Sequence, residues 1–425
     1  MPVKLAGLTL GVVAVAVLLG LVSPKLEPQW SDPIPFVKAS FGLEHSDGQN
    51  DGSGTQRIGY SQNDGQLGGG FVSDDSTVFY AAVTEANYWR GETKDFYTGK
   101  GWEASTPSET EPTSRYEAFH HPAVDIEHRR AEVSFEEGQA RFQHLFYPGD
   151  LLTRSEVMNA EVLVDRYTTK AATIHLGNPT SLDYYEYGYA SLAYHVEELH
   201  KIDGNDPDSI RSYYTQLPEQ LPNRVGELAE EIANEGTSRY EQAKAIERYL
   251  SGPDFAYETD DVPVPNEDQD YVDQFLFETM RGYCDNFSTA MVVMLRTLDI
   301  PARWVKGFTA GELVDTLSDN RLVYEVSNSN AHSWVEVYFP DVGWVPFEPT
   351  RGFYSEHQFI EPQSELDDVL EQDDSSEEPE EEAEDEETEE AEDEKEEESE
   401  AVGTVEKGTF PVAPVIIFGL ALLAA

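Results

Sequence analysis

The stretch Gly282-Tyr283-Cys284-Asp285-Asn286-Phe287-Ser288-Thr289-Ala290-Met291-Val292-Val293-Met294-Leu295 holds the only cysteine of the chain. Phe287, Met291, Met294, Leu295 and Leu298 recur at the spacing of one helix face, with Val292 and Val293 beside it. That spacing predicts a largely buried helix over 285–298 with Cys284 at its start. The positive end of a helix favours a thiolate, and its unpaired N–H groups can help hold an oxyanion. Asp285 works mildly against deprotonation of the thiol, although acids are common in first turns.

Working outward, Ala331-His332-Ser333-Trp334-Val335-Glu336-Val337 and Gly343-Trp344-Val345-Pro346-Phe347-Glu348-Pro349-Thr350 follow downstream. Both alternate as strands do. Val335, Val337 and Phe339 fall on one face, and His332, Trp334, Glu336 and Tyr338 on the other. Glu348 shares a face with Trp344 and Pro346. With Asp341-Val342-Gly343 as the turn, the two runs form an antiparallel hairpin that places Glu348 beside His332 across the ladder. A thiol, then a histidine, then a carboxylate suits a nucleophile, its base and an orienting acid, the equipment of acyl transfer. Taken singly, each has a blander reading: an inert core cysteine, a hydrogen-bonded strand histidine. Their combination on these elements favours the catalytic reading. Asp341 is the other nearby acid, but its turn position suits a structural role.

The stretches GYCDNFSTAMVVMLRTLDIPARWVKGF and AHSWVEVYFPDVGWVPFEPT resemble the transglutaminase-like core, a papain-like fold, and in particular its bacterial membrane-anchored branch. The lead-in Tyr271-Val272-Asp273-Gln274-Phe275-Leu276-Phe277 belongs to the same pattern. The strong likeness covers roughly 220–355. It implies an α+β catalytic domain, a Cys-bearing helix packed on an antiparallel sheet, preceded by a mainly β domain and flanked by transmembrane segments. The family's nucleophile falls on Cys284 and its histidine on His332. The family usually carries aspartate where this chain has Glu348, which can fill the same role but is one methylene longer.

Upstream of the core the period changes with position. Val225, Leu228, Ala229 and Ile232, then Ala243, Ile246 and Leu250, recur at helical spacing, and the second helix stops near Ser251-Gly252-Pro253. Short β-branched and aromatic runs, among them Thr77-Val78-Phe79-Tyr80-Ala81-Ala82-Val83, make 75–215 mainly β. The aromatic-rich segment from Tyr88 to Trp102 could bind sugar or peptide, but core and turn packing is the simpler reading. Residues 26–74 look like a polar, glycine-rich linker; Gly68-Gly69-Gly70 is too isolated for a phosphate loop.

The formal net charge of -55 argues against a nucleic-acid partner, which needs a basic footprint. Much of the excess lies in 361–400, where 25 acids meet one base, Lys395; like charges at that density predict disorder. Residues 5–22 are apolar and uncharged, about the length that crosses a bilayer, and read as a retained anchor rather than a cleaved signal peptide. Residues 410–425 are again apolar, either a short tail anchor or the start of a span in a longer protein.

The expected organisation is therefore an anchor over 1–25, a linker over 26–74, a β domain over 75–215 and a catalytic domain over 216–360. An acidic linker over 361–408 and a second membrane segment over 409–425 complete it. The bulk is placed outside the cell membrane, where a lone cysteine has no intrachain disulfide partner. The expected activity is a thioester formed at Cys284 from a glutamine or peptide amide and passed to an amine. The rivals are a cysteine peptidase or amidase acting on cell-envelope peptides, and a non-catalytic peptide-binding scaffold. Expected partners are a protein or peptide with an amide side chain, a peptidoglycan peptide among them, and membrane lipid at the terminal helices. No cofactor and no metal site is expected.

Overall fold

Residues 56–57, 64–111, 120–136, 142–151, 160–202, 204–234 and 236–361 are described by the structure, a computed structural model. The anchors expected over 1–25 and 409–425 and the acidic segment beyond 361 lie outside them. Among the described residues no helix is long and apolar enough to cross a membrane.

The principal elements run β1 (Thr77–Val83), β2 (Trp89–Lys94), β3 (Val124–Ser134), β4 (Glu161–Asp165), β5 (Ala171–His175) and β6 (Tyr184–His195). Helices α1 (Asp208–Tyr214), α2 (Asn223–Ala233), α3 (Arg239–Leu250) and α4 (Cys284–Thr297) follow. Then come β7 (Ala302–Phe308), β8 (Glu312–Thr316), β9 (Leu322–Ser327), β10 (Ala331–Phe339), β11 (Gly343–Phe347) and β12 (Gln358–Ile360). This is a mixed α/β fold with a mainly β N-terminal region.

The helices form where their sequences ask for them. Ser238 starts α3 by accepting the Glu241 N–H at 3.2 Å, and the Glu241 side chain answers the Ser238 N–H at 3.2 Å, a reciprocal cap. Helix α4 buries Phe287, Met291, Met294 and Leu295 against Val335, Val337 and Phe339 of β10 and against Val225, Ala229 and Ile246 of α2 and α3. Each such side chain contributes about 1.5–3 kcal/mol when fully removed from water, so α4 is the centre of the core.

The sheet beneath α4 has the order β11-β10-β7-β2. Its edge strand comes from the β-rich region: Val305 pairs with Thr93 and Gly307 with Arg90. The exchange runs both ways. Strands β8 and β9 join β1 in a second sheet, and β12 pairs with β6 in parallel. Segments 75–215 and 216–360 thus share sheets. The end of the stretch expected as linker is also built in: Leu67 is buried in the main core, and Asp64 pairs with Lys94 at 2.9 Å and with Lys306. The aromatic-rich segment is packed rather than displayed, with Trp89, Tyr97 and Trp102 all buried.

Candidate active site

Cys284 is the first residue of α4, after a short strand at Arg281–Gly282 and an extended Tyr283. Gly282 is required here. A Cβ on it would lie 2.2 Å from Asn286 Oδ1, the atom that accepts the Tyr283 N–H at 3.1 Å and closes the helix start. Cys284 and Asp285 N–H have no partner inside the helix and meet its positive dipole end. The thiol is buried with Val262 and Tyr283, and Phe71 packs beside them. Phe71 meets the Tyr283 ring edge-on at 4.8 Å.

A polar ladder ties α4 to the sheet below the thiol. Trp304 Nε1 donates to Ser288 Oγ at 3.0 Å, and Ser333 Oγ donates to Asp285 Oδ1 at 2.7 Å. The Ser288 hydroxyl, with one proton, faces Cys284 O at 2.7 Å and Ser333 Oγ at 2.9 Å. Burial raises the Asp285 carboxyl above its ordinary range, opposed by the Ser333 hydrogen bond. That softens the conflict between an acid and a neighbouring thiolate.

His332 opens β10. Its Nε2 lies 2.6 Å from Glu348 Oε2, which leaves Nδ1 for the Cys284 thiol; the thiol helps raise the imidazole and itself donates to Asp285 Oδ1 at 3.9 Å. Phe353 stacks on the imidazole at 4.6 Å and 18°. Burial pulls the imidazole down, but the Glu348 charge and the Cys284 hydrogen bond outweigh it and push the group up to about 10. For Glu348, burial raises the carboxyl while the His332 charge and hydrogen bond bring it below its ordinary value. Glu348 Oε1 accepts the Thr350 N–H at 2.9 Å, and Oε2 also takes the Tyr88 hydroxyl at 3.0 Å. The Glu348 N–H goes to Glu247 Oε1 at 2.9 Å.

The structure therefore brings Cys284, His332 and Glu348 into one chain of contacts. One detail differs from the sequence expectation. The pairs Val335–Phe347 and Phe339–Gly343 set a register that, continued, places Glu348 opposite Trp334 rather than His332. The glutamate reaches the imidazole diagonally, and its extra methylene spans that offset. Asp341 sits at the hairpin turn with φ 64°, consistent with a turn role. Tyr88, Glu247, Thr350 and Phe353 were not singled out from sequence. Only Thr350 carried a local signal, its place two residues after Glu348.

A cavity of about 650 Å³ lies elsewhere, lined in part by Arg90, Arg303, Glu336 and Trp344 and by none of the three residues above. Arg303 Nε donates to Glu336 at 2.8 Å and Arg90 pairs with the same carboxylate, so one buried glutamate holds both of these guanidinium groups. Among the described residues no cluster of His, Cys, Asp and Glu is arranged to hold a metal ion.

A thiol at a helix N-terminus, a histidine on the adjoining strand and a carboxylate beyond the next turn, on this fold, define the transglutaminase-like class. Residues 226–349 match the transglutaminase-like superfamily, and residues 1–173 match the TgpA N-terminal domain. The chain thus carries a transglutaminase-like core domain behind a TgpA-type N-terminal domain. It is 41% identical over 354 residues to the uncharacterized protein YebA of Bacillus subtilis, covering 80% of this chain and 46% of that protein. It is 27% identical over 351 residues to a protein-glutamine gamma-glutamyltransferase of Pseudomonas aeruginosa, covering 81% and 46%. The chain spans about half the length of these curated relatives. The crystal structure of the periplasmic domain of TgpA from Pseudomonas aeruginosa aligns with a TM-score of 0.48 and 23% identity, covering 65% of this chain and 88% of that one.

Proposed function

We propose that this chain is a thiol acyltransferase of the transglutaminase type. Cys284 is the nucleophile, His332 its base and Glu348 the orienting carboxylate. The observation that carries this reading is the imidazole held 2.6 Å from a buried carboxylate and raised by a thiol at a helix start. Nδ1 of His332 holds the thiol proton, as the imidazolium that prevails at neutral pH, and Cys284 Sγ attacks the carboxamide carbon of a glutamine side chain. The C–N bond breaks, ammonia leaves with the proton from His332, and a thioester remains. An amine then attacks the thioester carbon, gives a proton to His332, and restores the thiol. Glu348 steadies the imidazolium in both halves.

Water in place of the amine gives a hydrolase with the same residues, the cysteine peptidase or amidase reading. Two observations support the transferase side: the transglutaminase-like core, and the name of the Pseudomonas aeruginosa relative. An extracytoplasmic site on a membrane-anchored chain is part of the proposal, supported by the TgpA-type N-terminal match. Protein or peptide amides of the envelope are the proposed substrates.

The test offers the full chain a glutamine peptide with and without a labelled primary amine. Label on the peptide is expected, with a Cys284→Ala control blank. Cleavage or ammonia release that ignores the amine would make the chain a hydrolase. No reaction under either condition would favour the peptide-binding scaffold.

A further inference from the structure

A glutamate carboxyl hangs on three rotatable bonds, so one that orients an imidazole needs its own oxygens held. Both oxygens of Glu348 are held, but by different parts of the chain. Oε1 is fixed locally by the Thr350 N–H at 2.9 Å. Oε2, the oxygen on His332, is fixed by the hydroxyl of Tyr88 at 3.0 Å, from the β-rich N-terminal region. Tyr88 immediately precedes the edge strand β2, and its ring is buried edge-on to His332 at 5.2 Å, Trp334 at 5.3 Å and His357 at 5.9 Å. The hydroxyl has a second acceptor in Tyr354 O at 3.1 Å.

We propose that Tyr88 is a positioning residue for the candidate reaction: its hydroxyl donates to Glu348 Oε2 and keeps that oxygen on His332 Nε2 while the imidazole exchanges a proton with Cys284. The proposal rests on the Cys284–His332–Glu348 reading. Burial, and then the Glu348 charge, hold the phenol far above the ordinary tyrosine range, so the hydroxyl keeps its proton and serves as donor. The other titratable groups facing this cluster are Asp285 on α4, Glu247 on α3, Tyr257, and Glu356 and His357 on the segment leading to β12. None of them donates a hydrogen bond to Oε2. The β-rich region would thus complete the site.

The single cysteine makes the test direct. The rate of Cys284 alkylation by iodoacetamide is measured at neutral pH in the full chain, for wild type, Tyr88→Phe, Glu348→Gln and the double variant, beside each melting temperature. Phenylalanine keeps the ring packing and removes only the hydroxyl. Tyr88→Phe is expected to slow alkylation about tenfold, the lower range for a hydrogen bond to a charged group. In the Glu348→Gln background the same change is expected to cost nothing further, because the two groups act as a unit. Tyr88→Leu should lower the melting temperature, which Tyr88→Phe leaves in place, separating packing from hydroxyl. Wild-type rate in Tyr88→Phe beside a slowed Glu348→Gln, or the same loss in both backgrounds, would overturn the tyrosine's role alone. Wild-type rate in Glu348→Gln would overturn the carboxylate reading and this proposal with it.

Discussion

At His332 burial and charge pull in opposite directions. Its burial disfavours the imidazolium, while Glu348 and the Cys284 contact favour it and prevail, leaving the group at about 10. Glu348 moves the opposite way, below its ordinary carboxylate value. The two shifts agree in sense, as expected of a buried pair with an unshielded partner. A raised histidine adds stability that is complete below its ordinary value of 6.5 and is lost as pH climbs through about 10. A lowered carboxylate adds stability that is complete above its ordinary value and is lost as pH falls through its folded one. Neutral pH lies between, so the pair is intact there. Glu348→Gln is therefore expected to lower the melting temperature at neutral pH, with a cost on the order of 3–5 kcal/mol for breaking a buried pair. The deficit should shrink above about pH 10, where the wild-type imidazole has given up its proton. Melts at the two pH values check this; a constant deficit would mean that the pair contributes nothing through charge.

At the scale of elements, the site depends on how closely strands approach. Gly307 pairs with His332 on one side and Arg90 on the other, next to a register shift at Lys306/Gly307. A Cβ there would meet the Trp89 carbonyl oxygen at 1.8 Å, a backbone atom that cannot swing aside. Gly307→Ala is expected to destabilise the fold by about 3 kcal/mol, the upper range for overpacking, and to slow Cys284 alkylation by moving the start of β2. Unchanged stability and reactivity would show that the β2–β7 contact is not needed. The elements that were legible in sequence are those whose side-chain period is local. The Phe287–Met291–Met294 stripe, the Ser238–Glu241 cap and the Val335–Val337–Phe339 alternation follow from 3.6-residue and 2-residue repeats. Pairing between β2 and β7 is not local, and nothing beside Tyr88 marks it among the 22 tyrosines of the chain. The diagonal reach of Glu348 escaped for a similar reason. Face is set by residue parity, whereas register is set by how the turn closes.

For the whole molecule, the β-rich region and the transglutaminase-like core are joined through strands. The core sheet takes its edge from β2, and the second sheet takes β8 and β9 from the core. The candidate triad and the tyrosine bonded to it come together through that interleaving: Cys284 on the central helix, His332 and Glu348 on the hairpin, Tyr88 beside the donated edge strand. The central claim is that this assembly carries an acyl group on sulfur. It is tested most directly by quenching the full chain in acid during reaction with a glutamine peptide and weighing the Cys284-containing fragment. The account predicts a fragment heavier by the peptide less one ammonia, absent in Cys284→Ala and sharply reduced in His332→Ala. Ammonia release with no adduct on Cys284, or an adduct that persists undiminished in His332→Ala, would contradict it.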